Sequence, residues 1–278
     1  MPTEVAAVVL LGALLHASWN AVLKKGGNAA FDAATVALGA AVTSLILLPF
    51  VPFPPAAVWP FILASTCLQA LYFHLLGEAA KAGDLGLVYP IMRGTAPLLA
   101  AGATGFVLHE SLSTEMLAGI LAISGGVMTL AVDARGTSGK AVAIALANAC
   151  VIATYSFVDG YGARTMGHAL GYTLWISLFP PVPLLILAGW RRGYPAVADH
   201  IRGHWRGGLF GGAASIAAYA LALWAMTKAP IATVAALRET SILFAVGIGV
   251  LFLGEKPSHA RLFAAGTIAV GALVLKLG

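Results

Sequence analysis

Residues 93–110, RGTAPLLAAGATGFVLHE, return in altered form as residues 238–255, RETSILFAVGIGVLFLGE. At this shift of 145 residues Arg93 falls on Arg238, Thr95 on Thr240, Leu98 on Leu243, Ala100 on Ala245, Gly102 on Gly247 and Glu110 on Glu255. Further on, Leu117 meets Leu262 and Gly126 meets Gly271. Apolar segments match each other easily by chance; paired arginines and paired glutamates do not. An arginine inside an apolar run is also costly, roughly 2.5–3.5 kcal/mol at a bilayer centre, and is usually functional, paired, or both.

The rest of the chain sets the medium in which that cost applies. Of 278 residues, 60% are hydrophobic and 10% charged, and the mean hydropathy is +0.90. This composition excludes a soluble globular domain. The apolar runs are about 20 residues long, enough to cross a ~30 Å hydrocarbon core as helices. They do not alternate as the strands of a membrane barrel would. The fold class expected is an all-α membrane protein. Cys67 and Cys150 both fall in apolar runs and are expected to be small packing residues, neither disulfide partners nor metal ligands. The net charge of +5 sits in short connections and does not signal nucleic-acid binding. Met1–Glu4 carries no basic segment ahead of the first apolar run, so no cleavable signal peptide is expected.

Hydrophobic runs predict ten spans, at about 5–24, 31–51, 58–79, 85–108, 113–132, 139–159, 169–190, 207–227, 231–254 and 260–277. Gly, Pro or charged residues mark most connections. DARGTSGK (133–140) is the natural midpoint, and RRGYPAVADHIRGHWRG (191–207) is the longest connection. The first and sixth spans align at a shift of 136, which sets Trp19 on Tyr155 and Ser18 on Thr154. The chain therefore divides into two five-helix repeats, residues 1–133 and 139–278. Five is odd, so the second repeat crosses in the opposite sense to the first. Such inverted-topology repeats are a common plan of secondary transporters, with the substrate site near the midplane between halves.

Sidedness follows from Lys and Arg. The face reached after odd-numbered spans holds Lys24, Lys25, Lys81, Arg135, Lys140, Arg191, Arg192, Arg202, Arg206, Lys256 and Arg261. The other holds Arg164, Lys228 and Lys276. The first face is expected to be cytoplasmic, with both termini outside.

The polar residues left inside the spans are the site candidates. His16, Trp19 and Asn20 share one face of the first span, and Tyr155, Ser156 and Asp159 the matching face of the sixth. Gln69, Tyr72, His74 and Glu78 lie on the third span, Tyr89 and Arg93 on the fourth, and Trp175 with a Pro180 break on the seventh. Tyr219 and Trp224 lie on the eighth, Arg238 and Glu239 on the ninth. Arg93 and Arg238 are each expected about 5 Å off the midplane, on opposite sides. Each has two explanations: contact with substrate, or a staple to Glu239 or a carbonyl. Glu239 is a candidate for ion pairing with Arg93 or for proton coupling. Asp159 and Glu78 are expected at the interface, His74 as a packing residue, and Glu110 and Glu255 as helix-end residues. Trp175 and Trp224 are equally explained by an aromatic belt. Pro90 and Pro97 in the fourth span and Pro180, Pro181 and Pro183 in the seventh are candidate kinks.

Two stretches carry a family signature. APLLAAGATGFVLHESLSTEMLAGILAISGGVMTLAV (96–132) and SILFAVGIGVLFLGEKPSHARLFAAGTIAVGALVLKL (241–277) each run through a helix ending in [F/L]xxxE, a short turn, and a glycine-rich helix. They resemble the end of an EamA-type repeat of the drug/metabolite transporter superfamily, seen twice. LLHASWNAVLKK (14–25) resembles the start of that repeat. The resemblance spans essentially the whole chain, and within the superfamily the chain resembles the bacterial aromatic amino-acid exporters.

That resemblance implies a ten-helix exporter in a bacterial inner membrane, working by alternating access on small metabolites, plausibly as a monomer. His16, Trp19, Asn20, Tyr89, Arg93, Tyr155, Trp175, Tyr219 and Arg238 would suit an aromatic or other neutral amino acid: aromatic faces stack on a ring and arginine pairs with a carboxylate. No cofactor, metal or nucleic-acid partner is expected, and membrane lipids surround the chain. No GxxxxGK[ST] loop and no HExxH pair appears, which argues against ATP drive and against an intramembrane metalloenzyme. Proton-coupled export of cationic drugs is the alternative; it would put substrate binding on Glu239 or Asp159. The first span lacks the buried Glu that the superfamily's small multidrug exporters share.

Overall fold

The structure is a computed structural model that describes residues 1–23, 29–107, 111–131, 138–253 and 258–277. Among the described residues it is all helical: α1 (Thr3–Leu23), α2 (Ala29–Leu47), α3 (Trp59–Ala82), α4 (Leu85–Val107), α5 (Thr114–Thr129), α6 (Gly139–Met166), α7 (Ala169–Ile176), α8 (Pro181–Arg192), α9 (Tyr194–Met226), α10 (Ile231–Arg238), α11 (Ser241–Leu253) and α12 (His259–Leu277). Eight stretches are long and apolar enough to cross a membrane, α7–α8 and α10–α11 each counting as one. Outside those eight, α4 carries Arg93, Pro90 and Pro97 in its apolar run, and α5 has 16 residues. Lys24, Lys25, Glu110, Arg135, Glu255, Lys256 and most of the expected midpoint lie outside the described residues.

Local chemistry sets the helix ends. Ser113 and Ser138 cap α5 and α6 by accepting from Met116 N and Ala141 N, each at 3.2 Å. The Ser138 hydroxyl also donates to Ala82 O at 3.0 Å, tying the start of α6 to the end of α3. Gly167 closes α6 in the left-handed region, φ 66°, where a side chain is strained. His168 Nδ1 then accepts from Gly171 N at 2.9 Å and starts α7.

Three expectations about the spans are corrected here. The connection 191–207 is not a loop. Arg191 and Arg192 end α8, Gly193 turns the chain, and residues 194–207 begin α9, a 33-residue helix about 50 Å long at 1.5 Å per residue, so its charged opening turns extend past a ~30 Å slab. The sixth span does not end at 159 but continues to Met166, which moves Asp159 from a helix end to the interior. The ninth span is not continuous. Between Arg238 and Ser241 the backbone tightens to bonds spanning three residues, Glu239 N to Ala236 O and Thr240 N to Leu237 O, and the Thr240 hydroxyl competes for Leu237 O at 2.7 Å. Such a tightened turn inside a helix marks strain or function. The break in the seventh span, by contrast, falls where Pro180 and Pro181 were expected to put it.

Helix ends meet in two groups. At one end lie the finish of α3, the starts of α6 and α9 and the finish of α8, joined by Ser138–Ala82 and by Arg191 Nη2 to Glu78 Oε1 at 3.4 Å. Lys81, Lys140, Arg191, Arg192 and Arg202 belong to this basic end. At the other end the start of α1, the start of α3, α7, the finish of α9 and the start of α10 bury Val5, Val9, Ile62, Tyr172, Leu223, Met226 and Ile231 in the main apolar cluster. Arg164 closes that end, donating to Met226 O at 2.8 Å and Ala229 O at 3.2 Å. Cys67 and Cys150 are free and exposed on the outer surface, not packed inside.

Candidate functional site

The starts of α1, α3 and α10 and the finish of α9 are packed solid by the main apolar cluster. Above it, a cavity of about 700 Å³ is lined by α1, α2, α3, α4, α6, α9, α10 and the α7–α8 break. Its walls use the basic-end halves of α1 and α2, at Asn20 and Asp32, and Tyr89 at the start of α4, so it opens toward the basic end. Asn20 is exposed and Tyr89 is 39% exposed at the rim.

Eight of the nine expected substrate residues line this one cavity: His16, Trp19, Asn20, Tyr89, Arg93, Tyr155, Tyr219 and Arg238. The imidazole of His16 and the indole of Trp19 meet edge to face with centroids 5.3 Å apart, as one helical turn places them. Asn20 Nδ2 donates back to His16 O at 2.7 Å. Tyr155 packs edge-on to Tyr72 at 6.2 Å.

Trp175 is the exception. Its indole packs edge-on against Phe53 at 5.2 Å and Trp59 at 5.4 Å, at the closed end and off the cavity wall. A single tryptophan in an apolar run suits stacking on a ligand and stacking on other aromatics equally well; here Phe53 and Trp59 supply the partners.

The two arginines differ. Arg93 is bound by Glu239 in a two-pronged ion pair, Nε to Oε2 at 2.9 Å and Nη2 to Oε1 at 2.7 Å. Arg93 is 8% exposed and Glu239 5%. This geometry uses both carboxylate oxygens and satisfies much of the guanidinium. Glu239 touches a small side space behind the main cavity and does not line the main one. Arg238 makes no hydrogen bond or ion pair among the described residues. Its guanidinium carbon lies 4.9 Å from the centre of the Tyr219 ring, a cation–π contact. From their places in the helices, Arg93 sits nearer the mouth and Arg238 nearer the closed end.

Three wall residues named in this cavity, Asp32, Phe73 and Ser177, are not among the candidates the sequence offers. Asp32, in the first turn of α2, faces the cavity and contacts His200 Nε2 through Oδ1 at 2.9 Å. His200 stacks on His204 with centroids 4.2 Å apart. The sequence offered no signal for this pair, because 191–207 reads as a connection. Gln69, Tyr72, Phe73 and Ser177 complete the polar and aromatic wall. Asp159, expected at the interface, is fully buried and accepts from Tyr172 and Tyr219. Among the described residues no group of three or more His, Cys, Asp or Glu is placed to hold a metal ion.

The wall can thus take a molecule with an apolar or aromatic body and an anionic group, and it sets one carboxylate, Asp32, near the rim. Comparison with known proteins gives the rest. The EamA-like transporter family model matches residues 139–277. A solved structure titled "Crystal structure of protein" shares the fold, with a TM-score of 0.74 over 98% of both chains at 19% identity. Comparison with curated proteins returns no match.

Proposed function

Because the chain belongs to the EamA-like transporter family, a family of membrane transporters of small molecules, we propose that it is a secondary transporter exporting aromatic or other neutral amino acids and related metabolites by alternating access. The observation that carries this is the cavity itself, a 700 Å³ space with an unpaired arginine among aromatic side chains. A carboxylate meets Arg238, and a ring or apolar side chain packs among Trp19, Tyr72, Tyr155 and Tyr219. In this state the cavity opens to the basic end, the cytoplasmic one by the positive-inside rule, which is the loading side for an exporter. Both termini are then outside.

The architecture we propose is ten spans in two inverted five-helix repeats, 1–133 and 139–278. Two features support it. The third span packs along the sixth and the eighth along the first, which is one contact seen twice if the repeats exchange. α5 and α12, the last helix of each repeat, pack on each other, as elements on a shared two-fold axis do.

Export of cationic drugs finds less support. Glu239 is occupied by Arg93, Asp159 lies behind Tyr219, and Asp32 has His200 as its partner.

Efflux from proteoliposomes loaded with radiolabelled amino acids tests the proposal. Selective, saturable efflux of Phe, Tyr or Trp is expected. Flux of a lipophilic cation with no amino-acid flux would sink it.

A further inference from the structure

Asp159 is a buried carboxylate that the transport scheme leaves unused. Its side chain is fully enclosed at the closed end of the cavity. Tyr172 of α7 donates to Oδ1 at 3.0 Å and Tyr219 of α9 donates to Oδ2. The Ser65 hydroxyl of α3 sits against the same group and accepts from Gln69 Nε2 at 3.0 Å. One carboxylate of α6 therefore ties together the helices that seal this end. Tyr219 also faces the cavity and carries the Arg238 guanidinium over its ring. The charged and titratable groups around Asp159 are Tyr172, Tyr219, Arg238 of α10 and, one turn earlier on its own helix, Tyr155. α3 contributes only the uncharged Ser65 and Gln69. No arginine or lysine hydrogen-bonds the carboxylate among the described residues.

We propose that Asp159 is the proton-binding site of the transporter and the latch of its closed end, a proposal that rests on the transport function above. An ionised carboxylate accepts from both phenols at once. A proton from the medium turns one of its oxygens into a donor and a poorer acceptor, so the tyrosine tie to that oxygen weakens or reverses. A buried tyrosine O–H whose acceptor is weakened or lost is costly, and the end loosens. A substrate carboxylate acts on the same chain of contacts from the cavity side: by drawing Arg238 onto itself it lifts the guanidinium from Tyr219. Either ligand releases the latch, and the empty, deprotonated carrier stays shut. That is the rule a carrier needs to exchange a proton for substrate without leaking.

The test uses the full chain in proteoliposomes with radiolabelled phenylalanine as probe. Wild type is expected to show counterflow and to accumulate phenylalanine under a pH gradient, about tenfold per pH unit for one-for-one exchange. Asp159→Asn is expected to lose accumulation while counterflow persists, since the amide takes no proton. Accumulation by Asp159→Asn equal to wild type overturns the proposal. So does wild-type counterflow indifferent to the gradient, which leaves the transport function standing. If wild type moves no phenylalanine, the amino-acid assignment falls instead. Asp159 is then decided without substrate, by tryptophan emission of the purified protein between about pH 8 and about pH 5, because Trp59 and Trp175 sit at the closed end. A transition in wild type that Asp159→Asn lacks supports the latch, and coincident curves overturn it. If Asp159→Asn does not fold, Tyr172→Phe removes one donor and keeps the ring. It is expected to displace the half-point of the pH response, and an unmoved half-point overturns the proposal.

Discussion

Glu239 grips Arg93 with both carboxylate oxygens, at 2.9 and 2.7 Å, across 146 residues of sequence. The pair lies where water is scarce, and the two charges need each other. Removing one partner from a buried pair leaves an uncompensated charge and costs about 3–5 kcal/mol. Glu239→Leu and Arg93→Met are each expected to lower the thermal midpoint of the purified protein, and the two together to recover most of the loss. Additive losses in the double variant would show that the residues act independently.

The shift of 145 that sets Arg93 on Arg238 sets Gly94 on Glu239. The carboxylate that pairs Arg93 thus has no counterpart for Arg238, and none fits: a Cβ on Gly94 would lie 2.8 Å from Met128 Cγ and 3.0 Å from Ser124 O. Arg238 keeps its charge for the cavity. Arg238→Gln is expected to leave the thermal midpoint near wild type and to raise the KM for phenylalanine on the order of 10- to 100-fold, the worth of a charged hydrogen bond of about 1.5–3 kcal/mol. An aromatic amine without a carboxylate, if transported, should barely notice the change. Equal loss for both probes would remove Arg238 from carboxylate recognition.

How far the site could be seen from sequence depends on what makes a residue conspicuous. Arg93, Arg238, His16 and Asn20 stand out because each is polar inside an apolar run, and all four line the cavity. Asp159 stands out equally, but a span that ends at 159 places it at the interface. Gly160, Gly162 and Gly167 carry little helical signal, and only the φ of 66° at Gly167 marks the true end. The break after Arg238 was silent: no proline or glycine occurs in RETS, and Thr240 makes it through its own hydroxyl. The charged run 194–206 reads as a connection because helices outside the slab lose the apolar signature that identifies spans. His200, the partner of Asp32, lies in that run and carries no signal of its own.

The two tryptophans nominated for substrate separate cleanly. Trp19 lines the cavity beside His16, and Trp175 stacks with Phe53 and Trp59 away from it. Trp19→Ala is expected to raise the KM for phenylalanine several-fold, since an aromatic pair contributes about 0.5–1.5 kcal/mol beyond its buried area, with a smaller effect on alanine if that is carried. Trp175→Ala is expected to lower stability by about 3–5 kcal/mol, as large-to-small core changes do, while the KM of the folded fraction stays put. Initial-rate flux paired with thermal unfolding reads both. A KM effect in Trp175→Ala without loss of stability would return that residue to the substrate site.

The cavity's width rests on how closely α2 and α9 cross. A Cβ on Gly39 would fall 2.1 Å from Gly208 O, and one on Gly212 would fall 2.2 Å from Ala40 N. These are backbone atoms that no rotamer change can move, so the helices must separate to admit even a methyl. Membrane helices gain much of their association from such contact between small residues. Both helices line the cavity, through Asp32 and Val36 on α2 and Ser215, Ile216 and Tyr219 on α9. Separation would therefore widen the cavity and draw His200 from Asp32. Gly39→Ala and Gly212→Ala are expected to cost about 1–3 kcal/mol or more from overpacking and to weaken substrate affinity together with stability. Gly102→Ala and Gly105→Ala on α4 make the control, for nothing lies within 4 Å of a Cβ at either place. There a helix former replaces glycine, and the thermal midpoint should hold or rise slightly. Equal midpoints for both pairs of variants would mean that the α2–α9 crossing is looser than the backbone distances require.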